Sequence, residues 1–97
     1  MDDKKICPLL AKNDIRAIRF LVAVYETQYK KMALDYFNIN SLSTIDEILH
    51  SAVYEVGLHI QLMNNYNNVD LERLIKTNVK EHLIAFKYSQ RKLISAY

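Results

Sequence analysis

Residues 54–63, YEVGLHIQLM, decide the fold. Here Tyr54, Val56, Leu58, Ile60 and Leu62 alternate with Glu55, Gly57, His59 and Gln61, the period of a half-buried strand. Gly57 favours that reading, because glycine lowers the cost of leaving a helix. Leu49, Val53, Val56, Ile60 and Met63 also fit a continuing helix, so both readings stand. No second such segment exists in the chain for a strand to pair with. Its free N–H and C=O groups are costly if buried and adhesive if exposed. The mate is then the same segment of a second copy, antiparallel across a twofold axis. That places Tyr54, Val56, Leu58, Ile60 and Leu62 at a dimer interface. If the segment is helical, dimerisation is expected through the seam of Tyr25, Tyr29 and Tyr36 instead.

Outward from this stretch the chain reads as helical. Between Asp14 and Phe37 the residues Ile15, Ile18, Val22, Tyr25, Tyr29, Met32 and Tyr36 recur at intervals of three and four, the seam of an amphipathic helix. Asn13 or Asp14 can cap its start, and Asn38 or Asn40 can end it. Three tyrosines on one seam suit a core or a subunit interface better than a ligand box, because the ring fills space while the hydroxyl reaches the rim. A second helix opens at STIDEIL, where Thr44 and Glu47 have capping-box spacing and Ile45, Ile48 and Leu49 begin the inner face.

The polar stretch NNYNN, residues 64–68, predicts a loop, after which Asn68 can cap the helix of VDLERLIK. At TNVKE the chain either breaks and restarts, with Asn78 and Glu81 at cap spacing, or continues as one long bent helix. The break would make a helix-turn-helix. The expected fold is therefore mainly α: about four helices, one short strand at a twofold dimer interface, and a carboxy-terminal helix-turn-helix-like pair. Residues 1–97 form one domain, with 13–63 as helical core and dimerisation segment and 69–97 as a basic helix-turn-helix-like region.

At 97 residues the core is modest, and such a chain often completes it by oligomerising. Thirteen basic residues against eleven acidic ones leave a net charge of +2. The distribution is uneven. Residues 1–68 carry seven Lys/Arg and eight Asp/Glu, whereas 69–97 carry six and three, and no acid follows Glu81. One cysteine, Cys7, permits no intrachain disulfide and suits a reducing cytoplasm. The start, MDDKKICPLL, is unlike a secretory signal, and the run FLVAVY falls far short of the ~20 apolar residues of a membrane span. A soluble cytoplasmic protein is expected.

Catalytic material is sparse. His50, His59 and His82 are scattered, no second cysteine completes a zinc site, and the single Gly57 excludes a glycine-rich phosphate loop. Asp46 and Glu47 sit at a helix start, where the helix dipole accounts for them. The expectation is no enzyme, no cofactor and no metal, which leaves recognition.

The succession FLVAVYETQYKKMALDYFNIN, STIDEIL, LHIQL and VDLERLIKTNV, within residues 14–86, resembles FlhD, the flagellar transcriptional regulator, and the FlhD-like activators of conjugative elements. The resemblance implies a helical, intertwined dimer with a strand-like interface segment and a helix-turn-helix near the carboxy end. It also implies a hetero-oligomer with a zinc-containing FlhC-like subunit that binds promoter DNA and helps recruit RNA polymerase. The chain departs from the family at Asn38, where flagellar members usually have glycine, and at about Leu58, where they have a linking cysteine. No covalent dimer is therefore implied.

The resemblance and the charge pattern meet in the last third. Arg73, Lys76, Lys80, Lys87, Arg91 and Lys92 can neutralise phosphates. If a helix beginning near Val79 enters a major groove, Lys80 and His82 lie at its amino end. The expected function is that of a transcription-activator subunit, acting as a dimer beside an FlhC-like partner. The alternative is a small helical adaptor or inhibitor that binds protein alone.

Overall fold

Asp14 starts the first long helix: its carboxylate accepts the Arg16 N–H at 2.9 Å, and its extended backbone turns the chain into residues Ile15–Phe37. That bond, with the Arg16 guanidinium beside it, holds the Asp14 carboxyl below its ordinary pKa. The helix ends where Asn38 takes the left-handed conformation, φ 52°, which asparagine tolerates. The computed structural model describes residues 3–63, 66 and 69–95, and side chains between 5 and 90 within those ranges. Its four helices are α1 (Asp3–Ala11), α2 (Ile15–Phe37), α3 (Leu42–Gln61) and α4 (Leu71–Ser95). The mainly helical expectation therefore holds.

The strand over residues 54–62 does not form, because the segment is the second half of α3. Two helical rows produce its apparent alternation. Val53, Val56 and Ile60 lie on the inner side with Ile45, Ile48, Leu49 and Ala52, all buried. Tyr54, Leu58 and Leu62 form an outer row at intervals of four, all exposed. Interleaving 54, 58 and 62 with 56 and 60 mimics a period of two. The helix satisfies its own backbone groups, so no mate is required. Tightened i→i+3 bonds end it, from the Leu62 N–H to the His59 carbonyl (3.1 Å) and from the Met63 N–H to the Ile60 carbonyl (3.0 Å).

Gly57 marks a close approach rather than a break. A β-carbon there would lie 2.7 Å from the Leu10 carbonyl oxygen, so glycine allows α1 to rest directly on α3. Nearby, the Gln61 side-chain amide donates to the Ala11 carbonyl at 2.6 Å. α1 drew no helical expectation from sequence, being short and carrying Pro8 within it. It forms because Ile6, Cys7 and Leu10 share one inward side, each at most 1% exposed. Its end is a Schellman turn: Asn13 is left-handed (φ 59°), its N–H reaches the Leu10 carbonyl (2.9 Å), and the Asp14 N–H reaches the Leu9 carbonyl (3.0 Å).

The capping assignments shift slightly. The N-cap of α3 is Ser41, whose hydroxyl accepts the Thr44 N–H at 3.3 Å, so Thr44 lies inside the first turn instead of opening it. Before α4 it is Asp70 that accepts the Arg73 N–H, at 3.1 Å. The expected Asn68 cap, like most of the Asn-rich stretch, lies outside the described residues.

The helix-turn-helix break at Thr77 and Asn78 is also corrected. α4 passes through both residues. Leu71, Ile75, Val79 and Leu83 form one buried row at intervals of four across the expected junction. Asn78 caps nothing. Its side-chain amide donates back to the Leu74 carbonyl at 2.8 Å, inside the same helix.

α3 is the central element and packs against the other three helices, while α2 also meets α4. The body measures 47 × 25 × 20 Å, its long dimension set by the long helices. No helix among the described residues is long and apolar enough to cross a membrane.

One core residue carries a polar group that the packing does not satisfy. Tyr29 of α2 is 1% exposed, and its hydroxyl has no hydrogen-bond partner among the described residues. Its ring lies 5.8 Å from that of Tyr25, tilted by 41°. Burial, with smaller contributions from Tyr25 and Glu72, pushes the phenol up from 10.0 to about 12. Tyr29→Phe is expected to be neutral or to stabilise by about 1 kcal/mol, since it removes an unpaired buried hydroxyl without altering the ring. The wild-type chain should lose stability as pH rises from about 10 through about 12, because the unfolded phenol ionises first. The variant should lack that component. Urea titrations of both chains at neutral and alkaline pH check this.

Candidate nucleic-acid interface

The continuity of α4 turns a scatter of cations into a row. At 100° per residue Arg73, Lys76, Lys80 and Lys87 fall within about 60° of one another on its circumference. Arg73, Lys76 and Lys80 are exposed, and Lys87 is half-buried. Among the described residues the ion pairs are Arg16–Asp14 at 3.4 Å and His82–Glu55 at 3.5 Å, so none of the four is engaged. Arg91 and Lys92 continue the helix, and their side chains lie outside the described residues.

The other residue expected at a groove faces elsewhere. With α4 starting at Leu71, neither Lys80 nor His82 stands at a helix amino end. His82 turns toward α3: its Nδ1–H donates to the Asn78 carbonyl at 2.8 Å, while Nε2 faces the Glu55 carboxylate. That pair carries charge only when the ring is protonated. Beside it Asn78 is 4% exposed, and its carbonyl oxygen Oδ1 has no partner among the described residues.

The expected dimer interface divides into three groups by burial. Val56, Ile60 and Tyr29 belong to the core of the single chain and are not available to a second copy. Tyr25 is half-buried against that core. Tyr36, Tyr54, Leu58 and Leu62 remain exposed. Tyr54, Leu58 and Leu62 make a ridge along α3, with Leu62 85% exposed at its end.

Sequence reasoning missed a cleft of about 520 Å³ where the end of α2 meets the carboxy-terminal half of α4. Tyr36, Phe37 and Asn38 line it from α2 and its cap, and Ile84, Lys87, Tyr88 and Gln90 line it from α4. The available signal was the pair Ile84 and Tyr88, one helical turn apart and off the Val79, Leu83 and Phe86 stripe. Lys87 thus belongs both to the cationic row and to an aromatic-lined recess.

Among the described residues no group of three or more His, Cys, Asp or Glu side chains could hold a metal ion. No family model matches the chain, and neither does any curated protein or solved structure.

Proposed function

We propose that the protein is a small helical accessory subunit that works on DNA as a homodimer, a transcription-activator subunit of FlhD-like kind beside a companion of FlhC-like kind. The observation that carries the proposal is the row of Arg73, Lys76, Lys80 and Lys87 on one side of α4, none of them in an ion pair among the described residues. Cations so spaced neutralise successive phosphates; they position a complex without reading sequence. The near balance of charge over the whole chain supports dependence on a companion for affinity and base reading. Continuous helix stands where the resemblance implies a strand and a turn.

A protein-binding adaptor without nucleic acid is the second reading, favoured by the exposed ridge of Tyr54, Leu58 and Leu62. Retention on a DNA matrix bearing both duplex and single-stranded regions separates the two. Binding is expected to weaken steeply with salt, and the Lys76→Ala/Lys80→Ala/Lys87→Ala variant should reduce the salt slope by roughly 0.7–0.9 per lysine removed. Retention that ignores salt, or survives the triple change undiminished, sinks the DNA reading and leaves the adaptor.

A further inference from the structure

The proposed phosphate row leads into a recess whose chemistry suits bases, and on that reading it rests. Lys76 and Lys80 are about 6 Å apart along α4, and Lys87 lies about 10 Å further on, within the cleft. Tyr36, Phe37 and Tyr88 line the recess together with Lys87. Tyr36 is 82% exposed, a costly way to hold a large aromatic ring unless a flat partner covers it. Asn38 and Gln90, also in the lining, carry amides that both donate and accept, as base edges do.

We infer that this cleft binds an unpaired nucleotide, and that α4 with the end of α2 forms a site for single-stranded nucleic acid rather than for a closed duplex. A volume of about 520 Å³ lies within the range of small-ligand pockets. The bases of a duplex are stacked and paired inside, out of reach of a tyrosine face. A single strand offers those faces freely, and its phosphates follow the lysines away from the cleft. Charge complementarity selects this occupant over a neutral peptide: the cleft contains Lys87 and no acid, and the cations beyond it repeat along the same side of α4.

Fluorescence anisotropy with labelled oligothymidylate, oligouridylate and a duplex of equal length tests the inference. Both single strands are expected to bind more tightly than the duplex. A preference for one of them assigns the sugar. Tyr36→Ala and Tyr88→Ala should each weaken single-strand binding by roughly five- to hundredfold and leave duplex binding unchanged, while Tyr88→Phe retains affinity. Circular dichroism verifies that each variant folds. Equal affinity for duplex and single strand, or tyrosine variants that bind like the wild type, overturns the base-stacking site while the phosphate row stands. Binding to none of the three probes overturns the base-stacking site, while the phosphate row is judged by the salt dependence of the lysine variant. Displacement of the oligonucleotide by an acidic peptide at equal charge, with tyrosine variants unaffected, assigns the cleft to a protein and overturns the inference.

Discussion

Ile60→Asp is expected to unfold the chain, whereas Leu58→Asp, two residues away, is expected to leave it folded. In a strand the two positions would share a face and respond alike. On α3 they lie about 200° apart, which puts Ile60 at 0% exposure among apolar neighbours and Leu58 at the surface. An aspartate at 60 either buries an unpaired carboxylate or holds its proton at a large cost, on top of losing the isoleucine packing. Together these amount to roughly 5 kcal/mol or more, comparable with the whole stability of a small domain. At 58 the cost should be under about 1 kcal/mol. Urea unfolding followed by circular dichroism gives both numbers. Equal destabilisation at the two sites would restore the extended reading of residues 54–62. The same Leu58→Asp protein, examined by sedimentation, tests self-association through the ridge: a charge beside Tyr54 and Leu62 should shift a dimer to monomer. An unchanged sedimentation coefficient would mean that the ridge carries no self-association.

Gly57→Val is the second large effect. Any β-carbon at this position meets the Leu10 carbonyl oxygen at 2.7 Å, and that oxygen belongs to backbone, so it cannot swing aside. Gly57→Ala gains about 1 kcal/mol of helix propensity, which offsets part of the overpacking cost of about 1–3 kcal/mol. Valine adds two methyl groups with a poorer propensity, so its net loss should exceed 3 kcal/mol and should fall on α1. Hydrogen exchange should show the amides of α1, where Pro8 has none, losing protection first, while those of α2 hold. A valine variant as stable as the wild type would mean that α1 does not rest on α3 at this point.

These two residues also explain what was legible in the sequence. α2 was plain, because a seam of seven apolar positions over 23 residues leaves no competing period, and Asp14 and Asn38 stand at its ends as ordinary caps. The end of α3 was ambiguous because Tyr54, Leu58 and Leu62 put a second apolar row on the solvent side, and two rows hide the single stripe that marks a helix. Gly57 reinforced the wrong period, since its purpose depends on Leu10, a residue far away in sequence. α1 gave no signal for a related reason: its three inward residues mean little until α3 is there to receive them. At the candidate site the cations of α4 were visible as a charge imbalance. Their alignment with an aromatic recess needed the end of α2 brought alongside, and local spacing does not encode that approach.

Cys7, the only sulfhydryl in the chain, is sealed at 0% exposure on the inner side of α1. An alkylating reagent reaches it only when α1 lifts from its bed, so the labelling rate reports how often that opening occurs. The molecule thus contains its own chemical clock for the motion of its amino-terminal helix, needing no engineered probe and leaving the cationic row of α4 untouched.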